Sequence, residues 1–116
     1  MAVIMEMAEY QRLASKTASF PKDSQEFRLA ILGLGLAGET GETVDKVKKL
    51  INNDSCILTD EKKVLIVSEL GDVLWYLSQL AAEIGSSLDE VAQKNIQKLA
   101  DRARRGLVVS GVGDTR

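Results

Sequence analysis

Between Ser24 and Ile51, and again between Asp60 and Ile84, apolar residues recur every three or four positions. That interval places side chains on one face of an α-helix. Two shorter stretches keep the same period, Met5 to Thr17 and Leu88 to Arg105. No run alternates apolar and polar residues for long enough to make a sheet strand, and no segment repeats. The pattern predicts an all-α fold, an antiparallel four-helix bundle with short connections, in a single domain covering residues 1–116.

The boundaries carry their own signals. The only proline, Pro21 in "SFPKD", ends the first helix. Asp23 followed by Glu26 fits an N-terminal capping pattern for the second. "NNDSCIL" reads as a loop, and Thr59 with Asp60 and Glu61 opens the third helix, which Gly85 stops. Ser87 and Glu90 form the pattern of a capping box for the fourth, which Gly106 stops. The tail "LVVSGVGDTR", residues 107–116, reads as a mobile end. The third helix is apolar around most of its circumference, through Ile66, Val67, Leu70, Val73, Leu74, Leu77 and Ala81. Four helices of one small chain cannot cover it on every side, so a homodimer or homotetramer is expected.

Composition narrows the function. The chain has 116 residues, 45% hydrophobic and 28% charged, with a formal net charge of -2. Nucleic-acid binding would want a basic excess, and none exists. Cys56 is the only cysteine and histidine is absent, which removes disulfides, thiolate clusters, His-ligated zinc and histidine base catalysis. No signal peptide and no apolar run near the length of a membrane span is read, so a cytoplasmic protein without membrane contact is expected.

One stretch resists a purely structural reading. "GLGLAGETGETVDKVKK", Gly33 to Lys49, spends four helical positions on glycine, each costing about 1 kcal/mol relative to alanine. At 100° per residue, Glu39 shares the stripe of Leu32, Leu36, Val47 and Leu50, with Glu42 one turn along and about 60° aside. On the third helix Glu69, Asp72, Tyr76 and Glu83 share a narrow stripe. Antiparallel packing could bring Glu39, Glu42, Glu69 and Asp72 to one point. Clustered carboxylates repel one another unless a cation joins them. An all-oxygen set selects a hard ion, Mg²⁺ or Mn²⁺. Gly35, Gly38 and Gly41 would leave one flank open to a neighbouring helix or a ligand. A solvated acidic face and plain helix packing are the competing readings.

"GLAGETGETVDKVKK" followed by "SELGDVLWYLSQLAAEIGSSLDEVAQKNIQKLADR" resembles the MazG-like all-α nucleoside triphosphate pyrophosphohydrolases, whose signature is ExxE, a spacer, then ExxD. Here it is Glu39-x-x-Glu42 and Glu69-x-x-Asp72, and the similarity runs from about Tyr10 to Arg102. The resemblance implies Mg-dependent hydrolysis of a nucleoside triphosphate, expected to be a deoxyribonucleotide, to monophosphate and pyrophosphate, a nucleotide-pool house-cleaning role. It implies that the four acids hold the metal and that Glu39 or Glu42 activates water. Asn95, Lys98 and Arg102 match the family's last-helix pattern and would contact phosphates or sugar. Tyr76 suits stacking on a sugar or base, and Tyr10 and Gln11 are candidates for reading the base. Lys46, Lys48 and Lys49 complement the second helix's dipole, and one could reach a phosphate. Trp75 reads equally as a core or an interface residue. The competing functional reading is a non-catalytic assembly or adaptor module. The phosphoribosyl-ATP pyrophosphohydrolases are a related branch with similar acids.

Overall fold

The computed structural model describes residues 4–20 and 24–106; Asp23 and the tail at 107–116 lie outside them. Four helices follow one another: α1 (Met7–Ser15), α2 (Gln25–Asn53), α3 (Asp60–Glu83) and α4 (Leu88–Arg104). No strand occurs among the described residues.

The caps explain the boundaries. Ser24 is the N-cap of α2, its hydroxyl accepting the Phe27 N–H at 3.1 Å; the acceptor is one residue later than the expected Asp23. Thr59 caps α3 in the same way, accepting from Lys62 N–H at 3.3 Å. Ser87 accepts from Glu90 N–H at 3.1 Å, but the reciprocal half of the expected box does not form. The Glu90 carboxylate instead accepts the Ser86 hydroxyl. Gly85 takes a left-handed φ of 79°, which lets Gly85 N–H reach Ala82 O at 3.0 Å and Ser86 N–H reach Ala81 O at 2.8 Å. Those two bonds satisfy carbonyls that the end of α3 would otherwise leave open.

α2 and α3 form the long antiparallel pair. Arg28 meets Glu83 through two bonds of 2.9 and 3.2 Å, Gly35 meets Tyr76, and Glu39 meets Asp72. Successive contacts step forward along α2 by seven and four residues and back along α3 by the same numbers. Those intervals are two turns and one turn of a helix, so one stripe of each helix faces the other. α1 packs on α3 and α4, and α4 touches α1 and α3 but not α2.

The buried apolar residues among those described are few: Ala14, Leu32, Ala81 and Leu88. One stripe of α3 shows why. Toward the C-terminal end, Ser78 and Ala81 lie buried under the shorter helices. Toward the N-terminal end the same stripe continues as Leu74, Leu70, Val67 and Val64, and Val64 is 66% exposed. By length and composition α3 could cross a membrane, contrary to the expectation from the sequence. A core helix of an assembly passes the same test, and Glu69 and Asp72 near its middle would each be costly in lipid.

Candidate metal and substrate site

α2 and α3 share a register, so their acids converge. Carboxylate oxygens of Glu39, Glu69 and Asp72 lie within 4.8 Å of one another. Glu39 and Glu69 are half-buried and Asp72 is exposed. Glu42 stands outside this trio on the exposed side of α2, close enough to act on Glu39. Partial burial, then the charges of Asp72, Glu69 and Glu42, push the Glu39 carboxyl above its usual range. A cation is nearby: Lys46 Nζ lies 3.9 Å from Glu69 Oε1, too far for a hydrogen bond. The donor set, three carboxylates and no nitrogen or sulfur, fits a hard divalent ion.

Tyr76, one turn beyond Asp72, is half-buried, and its ring lies against Gly35. A Cβ on Gly35 would stand 2.1 Å from the ring's Cε1, whereas Gly38 and Gly41 face open space. Of the three glycines expected to clear a flank, one admits a neighbouring helix's side chain and two meet nothing. Trp75 sits edge-on to Tyr76, with ring centres 5.0 Å apart and an interplanar angle of 82°. Its indole N–H donates to Thr17 Oγ1 at 2.8 Å, so it fastens the segment after α1 to α3. Tyr10 feels the charge of Asp72, which adds to partial burial in raising its hydroxyl's pKa.

The α4 residues stand apart from the acids within one chain. Asn95 and Lys98 are exposed and line an open cavity of about 550 Å³ with Ser86, Glu90, Val91 and Lys94. None of the four acids lines it. Arg102 is half-buried. Gln11, a candidate for reading the base, is occupied structurally: its Nε2 donates to Ser78 O at 2.9 Å and its Oε1 accepts Leu88 N–H at 3.1 Å. Glu83 shares the acidic stripe but leaves the site for Arg28. The residue that sequence reasoning undervalues is Lys46. It lies two turns beyond Glu39, within about 20° of the same stripe, and that spacing is the signal that could have found it.

Residues 27–106 match the family described as the MazG nucleotide pyrophosphohydrolase domain. The chain is also similar to the Gene 37 protein of Mycobacterium phage L5, 42% identical over 111 residues, covering 92% of this chain and 96% of that protein. No solved structure matches significantly.

Proposed function

Since this chain belongs to the MazG nucleotide pyrophosphohydrolase family, we propose that it hydrolyses a nucleoside triphosphate, a deoxyribonucleotide by preference, to the monophosphate and pyrophosphate. The observation that carries the reading is the convergence of Glu39, Glu69 and Asp72 within 4.8 Å, a cluster whose mutual repulsion asks for a divalent ion. Those three would hold Mg²⁺ or Mn²⁺, which when bound acidifies water and neutralises the triphosphate. Glu42, outside the trio and exposed, keeps a free carboxylate to orient the attacking water and take its proton. The water oxygen bonds to the α-phosphorus in line, the bond from that phosphorus to the bridging oxygen breaks, and pyrophosphate leaves with the electron pair. Tyr76, held by Gly35, would flank the sugar or base.

Asn95, Lys98 and Arg102 would meet the phosphates in an assembly. The uncovered stripe of Val64, Val67, Leu70 and Leu74 supports a homodimer or a homotetramer, in which α4 of one copy can approach the acids of another. House-cleaning of the nucleotide pool in the cytoplasm is the role such an activity would serve.

The test is a panel of deoxyribonucleoside and ribonucleoside triphosphates with Mg²⁺, followed for pyrophosphate and monophosphate, with and without EDTA. Pyrophosphate release abolished by EDTA is expected. Orthophosphate with a diphosphate would indicate a different hydrolase, and no product from any triphosphate would favour an adaptor module.

A further inference from the structure

Next to the acids lies a second cavity, about 320 Å³, between the last turns of α2 and the first turns of α3. Its lining residues are Lys46, Lys49 and Lys62 with the aliphatic Leu50, Leu65 and Ile66 and one acid, Asp54; each lysine has a carboxylate partner, Glu69, Asp45 and Asp54 respectively. Lys46 belongs to both places, since its Nζ is 3.9 Å from Glu69 and its side chain walls the cavity. The acid trio and the lysine cavity are therefore neighbours with one residue in common.

The present partners of these lysines are weak ones. Lys49 pairs with Asp45 at 2.9 Å, but its side chain is 57% exposed. Lys62 reaches Asp54 and the Ile57 carbonyl, each at 3.3 Å. The exposed Lys49–Asp45 pair contributes little to stability, and the contacts of Lys46 and Lys62 with Glu69 and Asp54 are long, 3.9 and 3.3 Å, so a more highly charged anion can compete for these ammonium groups. Lysine suits a phosphate as a movable point charge.

Position along α3 then gives an order. Tyr76 lies C-terminal to the acids Asp72 and Glu69, and Leu65 and Lys62 lie N-terminal to them. We propose that the lysine cavity is an anion subsite that receives the pyrophosphate end of the substrate, so that the nucleoside points toward Tyr76 and the two outer phosphates toward Lys46, Lys49 and Lys62. This assignment of direction rests on the function proposed above. Lys46 then acts twice, because once Glu69 is drawn onto a divalent ion, Lys46 is released to the phosphate beside it.

The experiment is calorimetric titration of the full chain with inorganic pyrophosphate plus Mg²⁺, and separately with Mn²⁺ alone. Lys49→Met should weaken pyrophosphate binding by about tenfold and leave Mn²⁺ affinity unchanged, because Lys49 contacts none of the trio. Lys49→Arg should retain most of the pyrophosphate affinity. Lys46→Met should also weaken pyrophosphate binding, yet bind Mn²⁺ at least as tightly as the parent. Pyrophosphate that fails to bind the parent chain, or binds parent and Lys49→Met equally, overturns the subsite, even if triphosphates are hydrolysed. Lysine-dependent pyrophosphate binding by a chain that hydrolyses nothing supports the subsite while removing the enzymatic reading.

Discussion

The ring of Tyr76 occupies the place that a side chain at position 35 would take. A Cβ built on Gly35 would lie 2.1 Å from Cε1 and 2.5 Å from Cζ of the ring, far inside van der Waals contact. Gly35 thus lets α2 approach α3 one turn before the acids meet, and it fixes the aromatic wall beside them. Gly35→Ala gains about 1 kcal/mol of helix propensity but forces the ring or a helix to move, an overpacking cost of about 1–3 kcal/mol. A net loss of stability is expected by urea unfolding, relieved in the double variant with Tyr76→Ala. Gly38→Ala meets open space and should stabilise the chain by about 0.5–1 kcal/mol.

Glu69→Gln should separate fold from function. The helix keeps its shape, and the trio loses one of three repelling charges, so thermal stability without metal should hold or rise. Pyrophosphate release should fall at least about a hundredfold, since ligand loss costs no less than loss of a supporting contact. Mg²⁺ should raise the melting temperature of the parent chain by preferential binding to the folded state and leave that of the variant nearly unchanged. A variant with full activity would remove Glu69 from the site.

The pH dependence of the metal-free protein has a definite sign. Glu39 holds its proton more tightly folded than unfolded, because of partial burial and the charges of Asp72, Glu69 and Glu42. The folded state then carries excess proton in and just above the ordinary carboxylate range, and stability falls as pH rises through that window. Asp45 and Glu9 act oppositely. A hydrogen bond from Lys49 and one from Arg12, respectively, hold them below their usual values, so their contribution is present above the ordinary range and lost as pH falls. Unfolding in EDTA, compared between the parent and Glu39→Gln, isolates the first effect: the variant should lack the decline.

Assembly can be tested on the uncovered half of the α3 stripe. Val67→Glu or Leu74→Glu places a charge where a second copy is expected to pack, and should shift light-scattering mass toward the monomer and lower activity together.

The geometry of the acids was legible because it depends on one helical period. Glu39, Glu69 and Asp72 each share a stripe with apolar neighbours, and packing two long antiparallel helices along those stripes brings their carboxylates together. What the period cannot give is the length of the contact. Glu83 lies on the same stripe as Asp72, but the helix pair runs past the site, and at its far end Arg28 claims the carboxylate. Nor does a period say which element a face meets. Asn95, Lys98 and Arg102 were readable as one face of α4, yet in this chain α4 lies against α1 and α3 and away from α2. Lys46 shows a different limit: a lysine near a helix C-terminus already has a sufficient reason to be there, which hides its place beside Glu69.

Gln11 has a consequence for where this protein can be cut. Its amide joins three helices, donating a hydrogen bond to the carbonyl of Ser78 and accepting one from the first N–H of α4. The span that matches the family begins at residue 27, sixteen residues downstream of that clamp. A fragment trimmed to the matched span would lose the clamp and leave Ser78 O and Leu88 N–H to find water, at the joint that sets the direction of α4. The similarity to the phage protein reaches further, over 92% of this chain, and expression boundaries drawn ahead of Met7 would keep the clamp.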